Sequence, residues 1–289
     1  MLLMAAVVLF TGAMAAFRLG PSERASGERL GVVNLTGVIL ESGPVVDWIE
    51  ALADDETVKG VLLRVDSPGG GVAASQEIFA AVARLEKRKP VVASFASVAA
   101  SGGYYASLPC TRIVANPGSV TGSIGVKMDY LSFEGLIQDL GVSRELIASG
   151  ANKGAGSPFE TLTPEQRAML QGLVDDMHQQ FVADVAASRH LDPEVVAGLA
   201  DGRPFTGSQA LEAGLVDQLG GRREALDLLA QLAKITGEPE LIEGPPANLS
   251  LLEQLVGSRL DRASLLEEMS EQDLLDAAGQ AWRLRFLYR

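Results

Sequence analysis

Gly60-Val-Leu-Leu-Arg-Val-Asp66-Ser67-Pro68-Gly69-Gly70-Gly71, followed by the alanine-rich stretch 72–87, decides the fold class. Residues 60–65 are apolar or β-branched apart from Arg64, a run of strand length. Pro68 and three glycines break the run, and 72–87 then carries helical periodicity. The cycle repeats at once, with a strand at 91–95 and a helix at 101–108. Upstream, 30–40 reads as a strand and 44–53 as a helix with Pro44 in its first turn, where a fixed φ is an advantage. Downstream come strands at 112–115 and 143–147 with a helix at 130–140 before the second. Strands alternating with helices at this spacing predict an α/β fold of repeated βαβ units, right-handed crossovers and a mainly parallel sheet. From Thr163 the chain turns helical, with Thr163-Pro164-Glu165-Gln166 capping a helix that runs to Arg189. After a turn-rich stretch at 201–207, further helices are expected at 208–213 and 222–235.

A chain of 289 residues, 47% of them hydrophobic, can bury the core of one domain of about 200–250 residues plus appendages. A net charge of −13 argues against nucleic acid, since phosphate binding needs clustered Lys and Arg. The single cysteine, Cys110, excludes an internal disulfide and a cysteine-based metal site, and a small buried thiol is its plainer role. No His/Cys cluster points to a metal, and no Walker spacing to a nucleotide, so no cofactor is expected.

Residues 1–17 are apolar except for Thr11 and Gly12, and end at Arg18. As a helix this stretch spans roughly 26 Å at 1.5 Å per residue, close to a hydrocarbon core. Ala13-Met14-Ala15 also fits the small-x-small pattern of a removed signal. Residues 1–18 are therefore expected to be a membrane anchor (an N-terminal transmembrane helix) or a signal segment, and 19–29 a polar linker. The expected core domain is 30–240. Pro245-Pro246 begins an acidic tail, 245–289, where Ser250-x-x-Glu253 and Ser264-x-x-Glu267 resemble capping boxes ahead of amphipathic helices. The tail reads as a docked helix, or as an oligomer or membrane contact.

Ser101 is the candidate nucleophile. It sits where a buried strand turns into a helix, walled by Ala99, Ala100, Gly102 and Gly103, so nothing bulky blocks an approaching substrate. A helix N-cap is the ordinary role for such a serine. The loop at 69–71 is either a tight turn or, together with Gly102, a set of N–H donors for a developing oxyanion. A serine nucleophile needs a base, yet both histidines, His178 and His190, lie in or at the end of the stretch 163–190. A lysine serves only when desolvation keeps its amine unprotonated. Lys59, Lys87 and Lys89 precede strands at the opposite end of the sheet, and Lys234 lies in a late helix. Lys153 follows the expected strand 143–147, and no Asp or Glu occurs from 148 to 158. Ligands bind at the carboxyl ends of parallel strands, so the loops after Val65, Phe95 and Ile147 are expected along one crevice. A solvated loop lysine is the plain reading of Lys153, and Lys127 is the second candidate.

Four segments together, Asp66-Ser-Pro-Gly-Gly-Gly71, Ala99-Ala-Ser-Gly-Gly-Tyr-Tyr105, Thr121-Gly-Ser-Ile-Gly-Val126 and Ser149-Gly-Ala-Asn-Lys153, resemble in order and spacing the bacterial signal peptide peptidase SppA family. The stretch from Asp201-Gly202-Arg203 to Leu215-Val216-Asp217 resembles a later segment of that family. The likeness implies the short form, with a ClpP/crotonase-like fold and a Ser/Lys dyad. Ser101 would be the nucleophile, Lys153 the base and Ser123 the residue orienting its amine. Gly69, Gly70 and Gly102 would form the oxyanion hole. It also implies degradation of cleaved signal peptides, ATP independence, and a homo-oligomeric ring, octameric, whose neighbouring subunits complete each site. Anchoring in the bacterial inner membrane, with the catalytic domain on the extracytoplasmic side, fits the apolar start. A crotonase-type acyl-CoA enzyme and a catalytically silent membrane scaffold are the competing expectations.

Overall fold

In the computed structural model the described residues are 28–244. The expected anchor, nearly all of the linker and the tail lie outside them. Three long parallel strands form the centre: β1 (Arg29–Ile39), β2 (Val58–Gly70) and β3 (Val91–Ala100). Beside β3 lie β4 (Arg112–Ala115) along its first half and β5 (Val120–Gly122) along its end. The short strands β6 (Pro204–Thr206), antiparallel to β5, and β7 (Gln218–Leu219), parallel to β4, extend that side. On the other flank β8 (Glu240–Gly244) pairs with β1. The mainly parallel α/β sheet expected from the sequence is therefore present.

Period-two alternation explains why the central strands read as unbroken apolar runs. Val33, Val65, Ala93 and Phe95 face the larger core, and Val32, Leu62 and Val92 face the smaller one. The helices α1 (Gly43–Asp54), α2 (Val72–Glu86) and α3 (Gly102–Ser107) supply Leu52, Ile78 and Tyr104 to the first core. After α4 (Glu134–Asp139), the long α5 (Pro164–Arg189) and the short α6 (Pro193–Leu199) add Phe181 and Val196 to it. Then comes α7 (Gly207–Glu212), and α8 (Arg222–Leu232) covers the second face with Ala225 and Leu229. Thr163 caps α5 as its sequence suggests: its Oγ1 accepts from the Gln166 N–H, and its own N–H donates to Gln166 Oε1. Cys110 is buried, and burial pushes its thiol up.

Four expectations need correction. Residues 66–70 are not loop, because β2 continues through them and stays paired with β1 as far as Ile39 opposite Gly70. The expected strand 143–147 does not form: Ile147 is 94% exposed among the described residues. The helix expected at 130–140 shrinks to α4. The C-terminal half is also less purely helical than expected, since β6, β7 and β8 lie in it. No helix among the described residues is long and apolar enough to cross a membrane.

One ion pair fastens the end of α5 to the sheet. Arg189, 9% exposed, donates to both carboxylate oxygens of Asp217 at 3.0 and 3.1 Å and to the Gly214 carbonyl at 3.1 Å. Asp217 also accepts the Ile113 N–H at 2.7 Å. Asp217→Ala strands a mostly buried guanidinium and should lower the unfolding free energy by about 3 kcal/mol. Urea denaturation measures this, and a loss below about 1 kcal/mol would place the pair among inert surface bridges.

Candidate active site

The site begins where β3 runs out of side chains. Ala99 and Ala100 end the strand, and Ser101 takes φ 52° and ψ −120°, a left-handed conformation unusual for a residue with a Cβ. Its N–H donates to the Gly122 carbonyl at 2.8 Å, and its carbonyl accepts the Tyr105 N–H at 2.8 Å, so the strained turn is held on both sides. Ser101 is completely buried, and its Oγ has no hydrogen-bond partner among the described residues. An unpaired buried hydroxyl costs about 1–3 kcal/mol. Strain and an orphaned polar atom thus fall on the same residue, the pattern of a functional site.

The glycine segment lies directly against this elbow. A Cβ at Gly69, whose φ is +98°, would sit 2.7 Å from the Gly102 nitrogen and 3.0 Å from Ser101 Cβ. A Cβ at Gly102 would collide with Ser75 Oγ. The Gly71 N–H donates to the Ile39 carbonyl at 2.7 Å. Gly70 is pressed against β1, since its added Cβ would collide with the Ile39 carbonyl oxygen, and its nitrogen lies near the elbow, 3.2 Å from the position of a Cβ at Gly102. Gly102 opens α3, where N–H groups lack partners within the helix. The Gly69 N–H, by contrast, donates to Ser67 Oγ at 3.1 Å.

Ser123 also has a positive φ, 51°, and follows Gly122 at 72°. Its N–H donates to the Arg203 carbonyl at 3.0 Å, while the Gly122 carbonyl holds Ser101. Asp201 braces that turn by accepting the Arg203 N–H at 3.0 Å, and hydrogen bonds from Arg203 draw its carboxyl down to about 2. The turn-rich stretch at 201–207 therefore supports the Ser123 loop.

The structure brings Gly69, Gly70, Gly102, Ser101 and the Ser123 turn together. It bonds neither candidate lysine to the Ser101 hydroxyl. Lys127 pairs with Asp129 at 2.6 Å. Lys153 is exposed in a turn, its N–H donating to the Gly150 carbonyl at 3.1 Å. No strand delivers it to the sheet edge, so the topological ground for placing it there fails. The histidines are structural: His178 Nε2 meets the Ala200 carbonyl at 2.8 Å, and His190 ends α5 in a left-handed cap. Sequence reading missed Ser67, Ser75 and Thr121, the last of which donates to the Ala99 carbonyl at 2.7 Å. Ser67 had a signal, because a serine two residues before a glycine can bond its N–H locally.

Removing the orphaned hydroxyl should stabilise the protein. Ser101→Ala is expected to raise the unfolding free energy by about 1 kcal/mol, as calorimetric melting would show. A lower melting point would mean that the hydroxyl is satisfied after all.

A family model described as peptidase family S49 matches residues 83–236, which takes in Ser101, Ser123 and Lys153 but not the glycine segment. A protein of Synechocystis sp. that bears a protease name is 42% identical over 225 residues, 77% of this chain and 80% of that one. An Enterococcus faecium protein named as a signal peptide peptidase SppA is 38% identical over 228 residues, 74% of this chain and 66% of its own length. Protease 4 of Salmonella typhi is 38% identical over 182 residues, 63% of this chain but only 29% of that protein. With a family match over more than half its length and a relative this similar over most of both chains, the chain belongs to peptidase family S49.

Proposed function

We propose that this peptidase is an ATP-independent serine endopeptidase in which Ser101 is the nucleophile and Lys153 the general base. Its substrates are short apolar peptides, cleaved signal peptides among them. The observation that carries the proposal is the strained, buried and unpartnered Ser101 hydroxyl, set beside the N–H groups of Gly70 and Gly102. Ser101 Oγ attacks the scissile carbonyl, and the lysine amine takes its proton and delivers it to the leaving amine. The two N–H groups hold the oxyanion, water then hydrolyses the acyl-enzyme, and the Ser123 hydroxyl orients the amine. A catalytically silent scaffold has no use for such strain. An acyl-CoA enzyme of the crotonase type needs paired carboxylates, which neither the Ser101 nor the Lys153 segment contains.

The amine comes from a neighbouring copy. Lys153 lies in a segment whose apolar side chains Leu131, Leu136, Leu140, Val142 and Ile147 are exposed, a surface that calls for a cover. A second copy seated there supplies the cover, excludes water and favours the uncharged amine. Repeating that contact head to tail closes a ring, which we take to be octameric. The apolar run at 1–17 supports anchoring in the bacterial inner membrane with the peptidase on the extracytoplasmic side.

Ser101→Ala and Lys153→Ala should each lower hydrolysis of an apolar fluorogenic peptide by about 10³-fold or more, with unchanged circular dichroism. Co-expressing the two dead variants should restore about a quarter of the sites, since each interface pairs chains at random. Persistent inactivity of the mixed assemblies would rule out a shared dyad.

A further inference from the structure

Ser67 is completely buried and is the last residue of β2 to pair with β3, opposite Ala99. The register shifts between Val65 and Ser67, and Asp66 Oδ1 takes the Val98 N–H at 3.1 Å across that irregularity. Ser67 is wedged against the nucleophile helix: a Cβ at Gly103 would lie 2.9 Å from the Ser67 carbonyl oxygen and 3.2 Å from its Cβ. Its hydroxyl accepts the Gly69 N–H at 3.1 Å, which fixes the Gly69 peptide while that residue holds φ +98°. The peptide that follows Gly69 carries the Gly70 N–H.

We infer that Ser67 is a positioning residue of the active site, whose hydroxyl locks the Gly69 peptide so that the Gly70 N–H faces the carbonyl oxygen under attack. The inference rests on Ser101 being the nucleophile. It also revises the expected set of donors. With the Gly69 N–H committed to Ser67 Oγ, the oxyanion pair is Gly70 and Gly102, and Gly69 contributes its permissive backbone and its missing side chain. Without the Ser67 hydroxyl, the buried Gly69 N–H loses its acceptor. The peptide then rotates to find another, and the Gly70 N–H turns with it. Substrate still docks through contacts that Ser67 does not make, so the loss falls on the transition state.

The test compares the full chain with Ser67→Ala, Ser67→Thr and Ser101→Ala on an apolar fluorogenic peptide. Inhibition is read with a leucine-based tripeptide aldehyde, whose hemiacetal oxygen occupies the oxyanion position. Ser67→Ala should lower kcat by about 10²-fold with KM unchanged, and weaken the aldehyde by a similar factor. Ser67→Thr keeps the acceptor oxygen and should recover most of both losses. A Ser67→Ala enzyme with kcat within twofold of the parent overturns the inference, as does a rise in KM alone. So does a Thr variant no better than Ala that melts at the parent's temperature. If Ser101→Ala still cleaves the peptide, the nucleophile assignment fails and Ser67's role with it. If Ser101→Ala is dead while Ser67→Ala is fully active, only the role of Ser67 falls.

Discussion

Three stretches of backbone meet at Ser101 with no room for a side chain between them. Gly69 lies so close to the Gly102 nitrogen that a single added carbon would occupy the same space, and Gly70 is pressed equally against Ile39. The contact is possible because β2 does not stop at the expected loop but carries on beside β1. Ser67 of β2 pairs with Ala99 of β3, so the end of β2 and the elbow after β3 arrive at the same level of the sheet. On the proposed mechanism this close approach sets the N–H groups of Gly70 and Gly102 at the oxyanion, with the Ser67 hydroxyl fixing the Gly69 peptide. The dependence is strict: a methyl group at Gly69 or Gly70 meets neighbouring backbone and forces it aside, and one at Gly102 runs into Ser75 Oγ.

The elbow is uphill in energy and is kept by its surroundings. Positive φ at a non-glycine residue and an orphaned buried hydroxyl each cost about 1–3 kcal/mol. Against this stand the bond from Ser101 to Gly122, the bond from Tyr105 back to Ser101, and the rings of Phe79 and Phe181 packed on Tyr105. Arg189 and Asp217 then tie α5, which carries Phe181, to β4 and the segment before β7. The hydroxyl is thus strained locally and braced by elements far away in sequence. Its complete burial keeps water off it, and a peptide must displace whatever covers it to reach it.

The elbow was legible because it depends on local chemistry. An apolar run ending in Ala-Ala-Ser-Gly-Gly names a strand and a tight turn within a few residues, although the hydroxyl that its small neighbours should leave open is completely buried. The central strands and most helices were legible for the same reason, through periodicity and caps such as Thr163. The short strands β5, β6 and β7 were not, because two or three residues carry no period and partners distant in sequence decide their state. Lys153 is the instructive case. It was singled out by a strand at 143–147 that does not exist. Leu146 and Ile147 look like strand residues because they are apolar between polar neighbours, but no strand forms there, and Leu146 stays 43% exposed and Ile147 94% exposed. An apolar pattern reports that a surface wants covering. It does not report whether the cover comes from the same chain.

That distinction bears on how the proposed chemistry is controlled. A nucleophile needs an acceptor for its proton, and the described chain offers Ser101 none. If the amine arrives from a second copy, an isolated subunit holds a nucleophile and an oxyanion hole without a base. The interface that buries Leu136 and Ile147 is then the same interface that dries the lysine. Assembly and activation become one event, with the hydrophobic contact supplying the free energy for both. On that proposal a separate inhibitory segment is unnecessary, because an unassembled chain would lack the neighbour whose lysine makes its serine reactive.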